Sequence, residues 1–213
     1  MSRPDGSRPD GSRPGGSRPD GSLPDGSRPA IRRLSSRVVY ENPWMTVRED
    51  QVERLDGSRG IFGVIDKPDF ALVIPAEDGG FHLVEEYRYP IGRRSWSFPQ
   101  GTMPGRRQAD PESLARRELV EETGLRAGEL TKLGFLHCSH GMSGQGCHVF
   151  LATDLRPGET QREHEEQDMR QAWVSRDAFE RMVADGAITD DATLAGYALL
   201  MLRERRAAAG PDR

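Results

Sequence analysis

From Ser2 the chain repeats a five-residue unit, SRPDG, SRPDG, SRPGG, SRPDG, SLPDG and then SRPA, with starts at Ser2, Ser7, Ser12, Ser17, Ser22 and Ser27. Its one large apolar side chain after the initiator is Leu23. Such a stretch has almost no apolar area to set against the entropy of ordering it. Residues 1–30 are therefore expected to be a disordered tail, with transient turns at each Pro-Asp-Gly. Composition favours a flexible spacer over an arm whose arginines grip an anion. A period of five is too short for a stacked-repeat fold. Any core must come from the remainder of the chain: one domain over residues 31–206, then a flexible C-terminus over 207–213.

The charge balance excludes one broad class of function. The formal net charge is -4, and the tail contributes five Arg against four Asp, leaving the rest near -5. A domain of that balance offers no net cationic surface for releasing counterions from a nucleic acid. Two cysteines, Cys138 and Cys147, make no disulfide framework, so a reducing compartment is the simpler reading. No apolar run reaches the roughly 18 residues of a membrane span, and the N-terminus lacks the apolar core of a secretion signal. The expectation is a soluble cytoplasmic protein with no membrane partner.

The element order reads as strands, a helix, more strands, and closing helices. Arg37–Tyr40, Met45–Leu55 and Gly60–Asp66 read as extended, with Asp56-Gly57 as a turn. Phe70–Pro75 and Phe81–Glu86 flank the turn sequence EDGG and read as a hairpin. A loop rich in aromatics and arginine, RYPIGRRSWSFPQG, comes next. Asp110-Pro111 signals a helix start, with Asp as cap and Pro at the first position, and Gly124 signals its end. Strands are expected around Leu130–His137, Cys147–Thr153 and Arg170–Val174, and helices over Asp177–Ala184 and Asp190–Arg206. That order belongs to the α+β or α/β classes with a mixed sheet.

The informative segment is Arg117-Glu118-Leu119-Val120-Glu121-Glu122-Thr123-Gly124-Leu125. On a helix Glu118 and Glu122 stand one turn apart, and at ~100° per residue all three carboxylates fall within an arc of about 100°. Like charges that close raise one another's pKa unless a cation neutralises them. Mg2+ or Mn2+ suits such an all-oxygen set. Arg117, four residues before Glu121, is placed to orient that carboxylate. An isolated E-x-x-E-E is more often a solvated acidic face.

The wider pattern resembles the Nudix family, whose box reads G-x5-E-x7-R-E-U-x-E-E-x-G-U with U a bulky aliphatic. R-E-L-V-E-E-T-G-L fills the second half at the correct spacing, and Gly101 in FPQG resembles the start of the first half. The resemblance runs from about Val38 to Leu202. It implies a Nudix-type α/β/α sandwich with a mixed β-sheet, an α+β fold. There is a departure. Fifteen residues separate Gly101 from Arg117 where the pattern needs two fewer, and the first box glutamate falls on Ala109 counted backward or Arg107 counted forward. Asp110 and Glu112 are the nearby acids, and Asp110 is better explained as a helix cap.

Three features resemble the branch that hydrolyses ADP-ribose and nucleoside diphosphate sugars. They are Glu86-Tyr87-Arg88-Tyr89-Pro90 with Trp96 and FPQG after it, the acidic stretch Glu163–Asp168 before Trp173, and the ending Asp185–Leu194. The resemblance implies Arg88 as a diphosphate contact, suited by its forked guanidinium, against a plain surface ion pair. Trp96 either stacks on a substrate ring or fills the core. Glu118, Glu121 and Glu122 would hold the metal, with the Gln100 carbonyl as a further ligand. A carboxylate of the acidic loop, Glu165 or Glu166, would be the general base, against a solvated loop. Members of this branch are often homodimers with exchanged N-terminal strands. Gln100 and Ser97 point partly elsewhere, because FPQG also resembles the loop of RNA 5′-pyrophosphohydrolases and dinucleoside polyphosphate hydrolases. The remaining alternative is a catalytically weak module that binds a nucleotide and regulates a partner.

Two other patterns carry less. Cys138, His140, Cys147 and His148 do not follow a usual zinc spacing, and adjacent Cys147 and His148 face opposite sides of a strand. GMSGQG lacks the lysine of a phosphate-binding loop and reads as a hairpin loop near the active site.

Overall fold

The alternation of β4 explains the architecture. In this strand, Phe70–Glu77, Ala71 and Val73 face one apolar cluster while Leu72 and Ile74 face another, and all four are fully buried. Successive side chains of a strand point to opposite faces, so a strand apolar at every position must be covered on both sides. The structure, a computed structural model describing residues 30–103, 105, 107, 109–160 and 168–210, supplies both covers. Helix α1, Pro111–Thr123, packs its Leu114, Ala115 and Leu119 on one face. Helices α2, Arg176–Ala184, and α3, Asp191–Ala209, bring Phe179, Ala192, Tyr197 and Leu200 to the other. This is the expected α/β/α sandwich.

The sheet between them is mixed. Its strands run in the order β10 (Arg170–Ser175), β5 (Gly80–Arg88), β4, β9 (Gly146–Arg156), β8 (Arg126–His137). β4 pairs parallel with β9, and the other neighbours pair antiparallel. The β4–β5 hairpin closes through the expected turn, with Asp78 and Gly79 both at positive φ. Within the first core, Phe81 meets Phe98, Phe179 and Tyr197 edge to face.

Two short strands lie in what the sequence reads as a loop. β6, Arg93–Ser97, pairs with β5, and β7, Gln100–Gly101, pairs with the first half of β4 through Ala71 and Leu72. The connection from β8 to β9 is the glycine-rich hairpin loop, as expected. Helix α1 begins and ends as its sequence signals require: the Asp110 carboxylate accepts from Ser113 N at 2.8 Å, and Gly124 adopts the left-handed conformation at φ 72°. Helix α3 runs three residues beyond Arg206 before Gly210 caps it. No helix among the described residues is long and apolar enough to cross a membrane.

The N-terminal strands form a separate antiparallel sheet, β1 (Ile31–Glu41), β2 (Thr46–Arg54) and β3 (Arg59–Asp66). β1 is exposed along its whole length, and with β3 it presents Val38, Val39, Tyr40, Ile61 and Phe62 to the outside. Its links to the main body include the Ser143 hydroxyl donating to Ile65 O at 2.7 Å and Ile65 N donating to Met142 O at 2.8 Å. The expected tail, residues 1–30, lies outside the described residues apart from Ala30.

Candidate active site

The glutamates of α1 do not form a solvated face. Its buried positions are Leu114, Ala115, Glu118, Leu119, Glu122 and Thr123, a single stripe at helical spacing that mixes leucines with acids. Glu118 and Glu122 are each 3% exposed. Burying a carboxylate costs free energy unless it is hydrogen-bonded or paired, and the structure shows how these are held. Arg117 donates to Glu118 Oε1 at 2.8 Å and lies 3.2 Å from Glu121 Oε2, so one guanidinium spans two carboxylates. It also donates to Thr102 O at 3.1 Å. The expected approach of Arg117 to Glu121 is present at ion-pair distance, and a hydrogen bond to Glu118 accompanies it.

Strand β7 presses against these acids. The Gln100 backbone N–H donates to Glu122 Oε2 at 3.3 Å. An added Cβ at Gly101 would sit 2.8 Å from the Glu118 carboxyl carbon and 3.1 Å from its Oε1. Glycine is thus required there for the close approach of strand to carboxylate. The three residues Gln100-Gly101-Thr102 each touch the acid helix, and all three also wall the main cavity.

That cavity, about 590 Å3, is within the usual range for a small-molecule site. Besides β7 it is lined by Lys67, Phe70, Arg88, Ser95, Gln145, Cys138 and Ser139, and by Thr189, Asp190, Asp191 and Ala192 at the start of α3. Arg88 pairs with Glu86 at 2.5 Å. Burial pushes the Glu86 carboxyl above its usual range, partly offset by Arg88. Arg88 thus makes an ion pair with Glu86 and also lines the cavity. Trp96 is half-buried against the larger core cluster and is not among the cavity-lining residues.

The donor chemistry of Glu118, Glu121, Glu122 and the Gln100–Thr102 backbone suits a hard divalent cation. The side chains are not gathered into a ready cage: among the described residues no three His, Cys, Asp or Glu converge as metal ligands. Glu118 and Glu121 turn instead to Arg117. The box position that lacks its glutamate is occupied by Ala109, half-buried beside Leu114, or by exposed Arg107. Of the nearby acids, Asp110 caps the helix and Glu112 pairs with Arg116 at 2.9 Å. Glu165 and Glu166 lie outside the described residues. The four residues of the zinc pattern do not come together. Cys138 lines the main cavity, while His148 lines a second one and lies 3.7 Å from Asp69.

Sequence reading missed Lys67, Thr189, Asp190 and Asp191 as cavity walls. Asp190 carried a signal in its spacing to Thr193, the pattern of a helix cap, but nothing local links that helix to the loop at Gln100.

Comparison with known proteins agrees with this fold. Residues 66–195 match the NUDIX domain, and residues 31–65 match the nucleoside diphosphate sugar hydrolase N-terminal domain. An ADP-ribose pyrophosphatase of Mycobacterium tuberculosis is 32% identical over 165 residues, covering 76% of this chain and 79% of that protein. An ADP-ribose pyrophosphatase of Bacillus subtilis is 26% identical over 175 residues, covering 81% and 94%. The crystal structure of an ADP compounds hydrolase shares the fold at a TM-score of 0.73 and 21% identity, over 87% of this chain and 99% of that one. The N-terminal three-stranded sheet and the sandwich thus correspond to two matched regions, and with the NUDIX domain spanning more than half of its length the chain belongs to the Nudix family of hydrolases acting on pyrophosphate bonds.

Proposed function

We propose that the chain hydrolyses the diphosphate bond of ADP-ribose or a related nucleoside diphosphate sugar, releasing a nucleoside monophosphate and a sugar phosphate, with Mg2+ or Mn2+ required. The observation that carries the reading is the burial of Glu118 and Glu122 on the inner stripe of α1, directly behind a cavity wall made by β7. A fold has no packing reason to place two carboxylates there, and their cost is offset when they serve a site. The sugar-nucleotide substrate is supported by the two pyrophosphatase relatives and by the matched N-terminal region.

In this reading Glu118, Glu121, Glu122 and the Gln100 carbonyl would hold the cation, with Arg117 engaging one oxygen each of Glu118 and Glu121. The chemistry such an ion would supply is neutralisation of diphosphate charge and a lowered pKa for the attacking water. Arg88 and Lys67 supply positive charge from the cavity wall for the phosphate oxygens. Arg117 holds Glu118 and Glu121 in orientation. Glu165 or Glu166 accepts the proton of the water. The exposed strand β1 and the exposed apolar side chains of β3 fit a homodimer, in which a second copy covers Val38, Tyr40, Ile61 and Phe62. The reaction is assigned to the cytoplasm.

The test is phosphate-ester release from ADP-ribose, GDP-mannose, UDP-glucose, diadenosine polyphosphates and triphosphorylated RNA, with Mg2+ or Mn2+, comparing wild type with Glu122→Gln. Turnover of a nucleotide sugar that is lost in the variant and abolished by chelator is expected. Turnover confined to polyphosphates or RNA would overturn the substrate, and silence across the panel would overturn the catalytic reading.

A further inference from the structure

We propose that the side chains of Gln100 and Asp190 form a positioning pair that sets the β7 backbone against Glu122. The pair tethers that backbone to the first turn of α3. The inference rests on the hydrolase reading above and concerns side chains to which that reading gives no role.

The observations converge on one carboxylate oxygen. Asp190 Oδ2 accepts from Thr193 N at 2.8 Å, which caps α3, and from Gln100 Nε2 at 2.9 Å. Capping alone accounts for the first contact. The second joins residues ninety positions apart and has no role in helix formation. The segment before Gln100 is already secured without it. Phe98 N donates to the buried Thr193 hydroxyl at 3.0 Å, and Pro99 O accepts from Val73 N at 2.9 Å. β7 then pairs with Leu72 and Ala71 of β4, and the Gln100–Asp190 contact is the side-chain anchor added to that pairing, where the backbone meets the acid helix.

Geometry makes that junction sensitive. The Gln100 N–H to Glu122 bond is 3.3 Å long, at the outer limit of the useful range, so a shift of a few tenths of an ångström breaks it. Both ends of the tether wall the main cavity, Gln100 from β7 and Asp190 beside Thr189 and Asp191 from α3. Arg93 donates to Thr189 Oγ1 at 2.8 Å and steadies the same turn from β6. A substrate seated against the start of α3 would thus press on the element that aims the loop at Glu122.

The experiment uses the full chain with ADP-ribose and Mg2+, and the variants Gln100→Ala, Asp190→Ala, Asp190→Asn and the double alanine. Gln100→Ala is expected to lower kcat by about tenfold or more, the range seen when partners that orient a site's groups are removed, with KM changed less than about twofold. Asp190→Asn still accepts from both donors and should recover most of what Asp190→Ala loses. The double alanine should be no worse than the worse single, since both remove one interaction. Amide hydrogen exchange over residues 98–102 should quicken in Gln100→Ala while the melting temperature stays near wild type. A raised KM at unchanged kcat would make Gln100 a direct substrate contact and overturn the proposal. Unchanged kcat with unchanged exchange would do the same. If the wild type hydrolyses nothing, the hydrolase reading falls and exchange over residues 98–102 still decides whether the tether positions the loop.

Discussion

Replacing Gly101 with alanine tests whether the fit between β7 and Glu118 matters for catalysis or only for packing. The added methyl would stand 2.8 Å from the Glu118 carboxyl carbon and 3.1 Å from Oε1. Carbon atoms rest at about 3.5–4.0 Å, so the carboxylate must retreat by roughly 0.7–1.2 Å or β7 must lift away from β4. Glu118 has little room to do so, being 3% exposed and bonded to Arg117. Overpacking of this kind costs on the order of 1–3 kcal/mol. A misplacement of about 1 Å in a reacting constellation costs on the order of a hundredfold in rate. Gly101→Ala should therefore remain folded, with a lowered urea midpoint, while kcat for ADP-ribose hydrolysis falls about a hundredfold. Paired steady-state kinetics and denaturation curves report both quantities on one preparation. Activity within about threefold of wild type at unchanged stability would refute the reasoning, because the collision would then have been relieved without moving any group that the reaction uses.

Three further outcomes are expected from the same structure. Thr193→Val keeps shape but strips the acceptor from buried Phe98 N, which should cost about 1–3 kcal/mol by denaturant titration; a change below about 0.5 kcal/mol would mean that the N–H finds another partner. Glu86 carries a carboxyl raised above its usual 4.5 by burial, so the folded state binds the proton more tightly than the unfolded one. Its contribution is then complete below the usual pKa and is lost as pH rises through the raised value, so the stability of Glu86→Gln relative to wild type should increase as pH climbs above the usual carboxylate range, and a flat difference would contradict it. Burial also pushes the Cys147 thiol far up, and Cys138 less so. Native protein should therefore leave Cys147 unlabelled by iodoacetamide near neutral pH until it is unfolded, as mass spectrometry of the labelled peptides would show.

Local signals with a stereochemical mechanism were legible in the sequence, and features that exist only through distant contacts were not. Asp110-Pro111 and Gly124 bounded α1 correctly because capping and left-handed termination act within a few residues. The β4–β5 hairpin was readable because EDGG must turn and the flanking runs are apolar. β6 and β7 were not, since RRSWS has no clean alternation and a two-residue strand is defined by its partner, Leu72 and Ala71 of β4. β1 was expected to begin at Arg37 but begins at Ile31, because a strand exposed on both faces shows no period of two. The site divides in the same way. The spacing of Glu118, Glu121 and Glu122 was visible, but periodicity assigns charges to solvent, and the burial of two of them depends on β7 lying across the helix. Lys67 and Asp190 reach the cavity from opposite ends of the domain, and no local pattern joins them to Gln100.

The two-residue departure from the family box acquires a physical meaning once α1 is placed. The extra residues fall between Gly101, which ends β7, and Asp110, which caps α1. The relative placement of Glu118, Glu121 and Glu122 is set inside the helix by its own turn, so length added before the cap cannot rotate one carboxylate against another. At the other end Gly101 stays in register with Ala71 of β4, and its approach to Glu118 is fixed by that pairing. The insertion therefore falls between two points that are each anchored by their own contacts. The box glutamate is missing from the same stretch, where Ala109 packs on the apolar cluster around α1 and Asp110 accepts from Ser113 N. Shortening the loop by two residues and restoring a glutamate at the box position should tighten Mn2+ binding in an isothermal titration. Because the helix register is untouched, it should leave the stability of α1 unchanged.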